Sequence, residues 1–171
     1  MTARKIMLLG DIGVGKTSIV RRLVFDRFET NYKVTINVDI YKYEIDDAGP
    51  SGDQLQELVI WDIDGNMADS IFRQQNYVSG ASAALIIGDI TRRQSLETML
   101  RLANLCREKM PGRHVAFILN KTDLIETEST IELPGEFAST SHPITRTSAK
   151  TGANVQEAFR DAATAILRRG H

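Results

Sequence analysis

The 171-residue chain has one cysteine, Cys106, and no excess of positive charge: 21 Lys and Arg stand against 22 Asp and Glu, a formal net charge of −1. A single cysteine excludes an internal disulfide framework. Its place in a helical pattern marks it as a small buried hydrophobe in a reducing compartment. Without a basic excess the chain does not read as a general nucleic-acid or membrane-surface binder. No segment approaches the roughly 18 consecutive apolar residues of a membrane span. The opening "MTARKIMLLGD" has too short an apolar run for a secretory signal, and the closing "ILRRGH" holds no cysteine for prenylation. Repeats and low-complexity tracts are absent, and His114, His142 and His171 show no ligand spacing. These bounds predict one soluble, cytoplasmic, monomeric domain over residues 1–171.

What is present is an alternation. The apolar runs "KIMLLG", "LQELVIWD", "AALIIGD" and "HVAFILN" each end in Gly, Asp or Asn. Short runs of this kind read as strands of a covered parallel sheet that deliver polar groups at their C-terminal ends. Between them lie helical patterns. "KTSIVRRLVFDRF" gathers Ile19, Val20, Leu23 and Val24 on one face. "SLETMLRLANLCREKM" gathers Leu96, Met99, Leu100, Ala103 and Cys106. "NVQEAFRDAATAILRR" starts at Asn154 as N-cap and gathers Val155, Ala158, Phe159, Ala162 and Ile166. The Tyr- and Ile-rich run from Asn37, the turn cluster "DDAGPSGD" and the following strand form a hairpin, which adds one antiparallel strand. The pattern is that of an α/β doubly wound fold, whose ligands bind outside the carboxyl ends of the strands.

Three motifs collect there. "GDIGVGKT", Gly10 to Thr17, matches G-x-x-x-x-G-K-[ST] between a strand and an amphipathic helix, the context of a phosphate loop. Glycines let successive backbone N–H groups turn toward phosphate oxygens, and the helix that follows aims its positive end at them. Lys16 supplies a point charge and Thr17 a hydroxyl able to ligate Mg²⁺. Asp62, at the end of "LVIW", has the position of a magnesium-holding acid, and Gly65 follows at D-x-x-G spacing, where a backbone N–H can reach a γ-phosphate. "NKTD", Asn120 to Asp123, supplies a carboxylate able to accept two hydrogen bonds from the N–H/NH₂ edge of guanine, an edge adenine lacks. The Lys121 stem can cover a flat base. "TSAKTG", Thr147 to Gly152, completes the set. This base motif argues against an ATP-using phosphate-loop kinase.

With these motifs in order along nearly its whole length, the chain resembles the Ras-superfamily small GTPases. Its segments "VTINVD", "LVIWDIDGN" and "NYVSGASAALIIGDIT" are most similar to Rab proteins. The resemblance implies a three-layer G domain with a six-stranded, mostly parallel sheet, one antiparallel strand and about five helices. It implies GTP/GDP and Mg²⁺ as ligands. Asp11, Ile12, Gly13, Val14, Gly15, Lys16, Thr17 and Ser18 would cradle the phosphates, with Tyr32 lying over them. Thr17, Thr35 and Asp62 would hold the metal, and Thr35 and Gly65 would sense the γ-phosphate. Phe28 would stand beside the base. Asn120, Lys121, Asp123 and Leu124 would meet it, as would Ser148, Ala149 and Lys150, with the Ala149 N–H on its carbonyl oxygen. Lys16, Thr35, Gly65 and Asn66 would serve hydrolysis. Effectors and regulators would bind the segments near 30–40 and 63–77.

Three positions depart from the family pattern. The family reads D-T-A-G-Q where this chain reads Asp62-Ile63-Asp64-Gly65-Asn66. Asn66 keeps the amide that orients the attacking water but is shorter by one bond, about 1.5 Å, and a misplacement near 1 Å costs roughly 100-fold in rate. Asp64 sets a carboxylate beside the expected γ-phosphate, which disfavours a triphosphate unless the carboxylate moves or is bridged by a cation. Ile12 replaces a small residue where an activating partner's arginine, worth about 10⁵-fold in Ras, would enter. The expectation is a slow GTPase switch. The alternative is a nucleotide-binding module of negligible turnover.

Overall fold

Alternate residues of the first apolar run feed opposite faces of one sheet. In the computed structural model, which describes residues 3–31, 37–49, 52–126 and 132–170, this run is strand β1 (Ala3–Leu9). Ile6 and Leu8 pack with one set of core residues, Met7 and Leu9 with another. The other strands are β2 (Val38–Gly49), β3 (Gly52–Ile63), β4 (Ala81–Asp89), β5 (His114–Asn120) and β6 (Ile144–Arg146). Their order is β2-β3-β1-β4-β5-β6. Every neighbouring pair is parallel except β2 with β3, the expected hairpin. The described helices are α1 (Lys16–Phe25), the short α2 (Gln75–Val78), α3 (Arg93–Lys109), the short α4 (Glu136–Ser139) and α5 (Val155–Arg168).

Helices α1 and α5 cover one face of the sheet, through Ile19, Val20, Val155, Phe159, Ala162 and Ile166. Helix α3 covers the other, through Leu96, Met99, Leu102 and Cys106. Every residue of β4 and β5 is buried, as strands covered on both faces require. The Cys106 thiol is fully enclosed and burial pushes its pKa up to about 12, so it serves as core.

Two local details differ from the sequence expectation, and one expected strand has no sequence pattern of its own. Helix α1 ends at Phe25, short of Phe28, because Asp26 turns into the left-handed region at φ 50° and its N–H caps the Arg21 and Arg22 carbonyls. That turn carries Phe28 off the helix. Asn154 does precede α5, but at φ 56° its side chain makes no cap; its Nδ2 donates to the Arg146 carbonyl instead. The sixth strand, β6, is three residues long, with no apolar run to announce it. Strand β1 lies between β3 and β4, so the connection from β1 to β2 runs to one side of it and the connection from β3 to β4 to the other. The crevice at that switch point is where a doubly wound fold binds its ligand.

Candidate functional site

The loop after β1 opens into a cleft of about 390 Å³ at the carboxyl ends of the strands. From the phosphate loop, Ile12, Gly13, Gly15, Lys16, Thr17 and Ser18 line it; from other elements, Phe28, Gly65, Asn120, Lys121, Asp123, Leu124, Ala149 and Lys150 do. Residues from near the two ends of the chain, Ile12 and Lys150 among them, thus line one cleft. Asp11, Val14, Asn66 and Ser148 do not line it, though each is next in sequence to a residue that does, and Asn66 is exposed. Tyr32 and Thr35 lie outside the described residues. A wider depression of about 1010 Å³ runs over α3, but Arg93, Glu97, Arg101, Arg107 and Glu136 there mix both charges without converging.

At the phosphate end, the buried Lys16 ammonium donates to the carbonyls of Gly10 and Asp11, each at 2.9 Å. Burial lowers its pKa to about 8, against the pull of Asp62, Asp11 and Asp64, which favour the charged form. An arriving polyphosphate would restore the full charge of Lys16. Asp62 is wholly buried. The Thr17 hydroxyl donates to its Oδ2 at 2.5 Å, and its Oδ1 has no partner. Burial raises the Asp62 carboxyl to about 6, above the usual carboxylate range, even with Thr17 and Lys16 favouring its ionised form. A buried orphan carboxylate oxygen beside a hydroxyl is the hard oxygen donor set Mg²⁺ takes. The described residues contain no cluster of three His, Cys, Asp or Glu that would hold a metal without a ligand's help. Mg²⁺ at nucleotide sites takes one or two carboxylates together with phosphate oxygens, and Asp62 with Thr17 can supply the protein's share.

Gly65 abuts the phosphate loop. A Cβ there would stand 2.6 Å from the Ile12 nitrogen and 2.9 Å from the Asp11 carbonyl carbon, both backbone, so only glycine allows this approach. The turn that follows is capped by Asp64, whose Oδ1 accepts both the Asn66 backbone N–H at 2.9 Å and the Asn66 side-chain amide at 3.2 Å. Asp64 itself lines the cleft. The amide expected to orient water is thus engaged by its neighbour.

At the base end, Asn120 is a buried tie. Its Nδ2 donates to the Val14 carbonyl at 3.0 Å, while Oδ1 accepts the Thr147 hydroxyl at 3.1 Å and the Ala149 N–H at 3.2 Å. One side chain therefore joins the phosphate loop to the 147–150 loop. Gly15, at φ +100°, leaves room for it: a Cβ would lie 2.4 Å from Asn120 Nδ2. The Ser148 hydroxyl orients the Asp123 carboxylate through a 2.6 Å bond. Lys121, at φ 68°, turns its ammonium to Asp89 at 2.8 Å and lays its stem along the cleft.

A model of the Ras family matches residues 5–168. Ras-related protein Rab-22A of Canis lupus familiaris is 34% identical over 158 residues, covering 91% of this chain and 79% of that protein. Ras-related protein Rab-31 is 35% identical over 158 residues in both Rattus norvegicus and Homo sapiens, covering 91% and 78%. The chain belongs to the Ras family. Several residues that build this Ras-family site carry no motif of their own. Arg22 donates to the carbonyls of Ala149 and Lys150 at 2.8 and 2.6 Å, pinning the base loop to α1. Asp89 holds Lys121, and Arg92 lies on the phosphate loop. Arg21, Glu29, Thr30 and Asn31 complete the cleft wall. Their signal in the sequence is only that they flank strand and helix ends.

Proposed function

We propose that this protein is a guanine-nucleotide switch that binds GTP and GDP with Mg²⁺ and hydrolyses GTP slowly. The observation that carries the reading is the convergence, in one cleft, of a phosphate loop, a buried orphan carboxylate and an oriented base-facing carboxylate. Asp123, fixed by Ser148, offers an acceptor to the N–H/NH₂ edge of guanine. Lys16 and the N-terminus of α1 draw the phosphates to the loop. Thr17 and Asp62 would hold the metal, joined by Thr35 as the family pattern implies, and Mg²⁺ would supply positive charge to offset that of the phosphates. Gly65, set against Ile12, presents its N–H to a third phosphate. The segments near 30–40 and 63–77 would order around that phosphate and bind effectors.

Turnover requires a water in line with the γ-phosphorus. Asn66 is the residue placed to orient it, and its amide is both short and bonded to Asp64. Asp64 also brings negative charge into the cleft. That contact favours a second reading, a nucleotide-binding module with negligible hydrolysis. Identifying the nucleotide released on denaturing the purified protein tests the binding. GDP or GTP is expected; adenine nucleotide would sink the proposal. Single-turnover GTP hydrolysis then separates the two readings: a slow but measurable rate, raised in Asn66→Gln, supports the switch, while no turnover over hours supports the module. A wild-type rate above that of Asn66→Gln would overturn the assigned cause of slowness.

A further inference from the structure

Both backbone polar groups of Ile12 are held by side chains. Its N–H donates to Asp11 Oδ1 at 2.8 Å, and its carbonyl accepts Arg92 Nη1 at 2.8 Å. Arg92 Nη2 in turn reaches Asp11 Oδ2 at 3.0 Å. The three contacts close a ring of guanidinium, carboxylate and the Ile12 backbone of the phosphate loop. The guanidinium stands beside the loop, with Nη1 3.6 Å from where a Gly13 Cβ would stand. Its own backbone is fixed. The Arg92 N–H donates to the Asp89 carbonyl at 2.9 Å, and its carbonyl accepts the Ser95 hydroxyl at 2.8 Å at the start of α3.

We infer that Arg92 is a positioning residue that sets the γ-phosphate end of the loop, acting through Asp11 and the Ile12 peptide. The inference rests on the nucleotide reading above. The loop is anchored in two halves. Val14 is tied to Asn120, and Lys16 begins α1, so the half that meets the first two phosphates is held without Arg92. The Ile12 peptide has the Asp11–Arg92 ring, and it is the peptide against which Gly65 packs. A third phosphate needs Ile12 and Gly65 in register; a diphosphate does not. Arg92 also shares its turn with Asp89, whose carboxylate accepts the Thr91 hydroxyl at 2.6 Å and pairs with Lys121 at the base end. The 89–92 turn thus brackets the cleft from base to phosphate. Arginine suits the task because its planar fork meets a carbonyl and a carboxylate at once; lysine offers one point charge.

The test measures dissociation of fluorescent GDP and of a fluorescent non-hydrolysable GTP analogue in excess Mg²⁺, for wild type, Arg92→Ala, Arg92→Lys, Asp11→Ala and the Arg92→Ala/Asp11→Ala double variant. The pair is half exposed, so the expected loss is that of a modest charge-assisted contact, about three- to tenfold faster release of the triphosphate. Release of GDP changes less than about twofold. Arg92→Lys recovers part of the difference, and the double variant is no worse than either single one, because each breaks the same ring. Equal acceleration for both nucleotides, or additive effects, would show that Arg92 merely stabilises the fold and would overturn the inference. Wild-type release from Arg92→Ala would do the same. Failure of the unmodified protein to bind either nucleotide would bring down the nucleotide reading as well.

Discussion

Asn120→Ala separates two roles that one residue can play at the base end. If Asn120 serves chiefly as a tie between loops, its loss is felt by the fold and by every nucleotide alike. Removal of the side chain breaks three hydrogen bonds: to the Val14 carbonyl, from the Thr147 hydroxyl and from the Ala149 N–H. Asn120 is 1% exposed, so the groups left behind are poorly reached by water. At about 1 kcal/mol per bond, and somewhat more where a buried partner stays unpaired, the cost is about 3 kcal/mol. That is a large part of the roughly 5–15 kcal/mol that holds such a domain. Chemical denaturation in saturating GDP and Mg²⁺ reads the loss. Competition between GDP and inosine diphosphate, which lacks the exocyclic amine, reads base discrimination. Asn120→Ala should weaken both nucleotides by a common factor, on the order of 100-fold if the full cost reaches binding, and leave their ratio unchanged. Asp123→Asn should instead shrink the ratio, since under the proposed function its carboxylate would accept from the amine. A tenfold fall in the ratio for Asn120→Ala, with unfolding free energy unchanged, would refute the tie.

Lys5 lies 3.6 Å over the Trp61 ring and donates to the carbonyls of Tyr77 and Ser79 at 2.5 and 3.1 Å, so Lys5→Ala should cost about 1–2 kcal/mol in denaturant unfolding. A shift below about 0.3 kcal/mol would contradict that contact's role. His114 is buried, and desolvation, helped by Arg169 and His142, holds its pKa below the ordinary value of 6.5. The unfolded chain then takes up a proton that the fold refuses, so stability present above about pH 6.5 should fall as the pH drops. Replacing His114 with Phe should flatten that slope between pH 6.5 and 5.5, and an unchanged slope would assign it elsewhere. Asp64→Ala should raise single-turnover hydrolysis, and the gain from Asn66→Gln should be larger in that background; purely additive effects would dissociate the two positions.

The sequence announced the parts of the site that depend on local chain chemistry. A phosphate loop needs glycines at set spacings because consecutive N–H groups must turn inward, and that constraint is written within eight residues. Strand ends were legible because buried apolar runs stop where Asp62, Asp89 and Asn120 begin to meet polar partners. The ties between loops were not legible. Arg22 on the Ala149 carbonyl and Arg92 on the Ile12 carbonyl are contacts 127 and 80 residues apart, made to backbone oxygens that any residue type would present. Nothing at the accepting position marks them. Strand β6, the sixth strand the resemblance implies, could not be located in the sequence for a related reason. Three residues at the rim of the sheet, none fully buried, need no apolar run. The side-chain work of Asn120 was also hidden, since the resemblance assigns it to the base while the packed structure uses its amide on both sides against other loops.

The departures at Asp64 and Asn66 read differently once the turn is seen. Taken singly, one adds a charge and the other shortens an amide. In the structure they form one device: Asp64 caps the turn 65–67, and its Oδ1 is shared by the backbone and side-chain N–H groups of Asn66. A short carboxylate is suited to bonding an N–H two residues ahead, a local pattern in which Asp and Asn compete well with regular structure. Asn rather than Gln lets the side-chain amide fold back onto the same oxygen. The Asp64 backbone N–H meanwhile donates to the Asn37 carbonyl at 2.9 Å, which continues the β2–β3 ladder past its last pair. The turn is therefore fastened on the strand side by backbone and on the cleft side by carboxylate, with Gly65 pressed against Ile12 between them. Such fastening holds Gly65 against Ile12 and keeps the Asn66 amide on Asp64; under the proposed function it would preserve the γ-phosphate contact and leave the attacking water without an orienting amide.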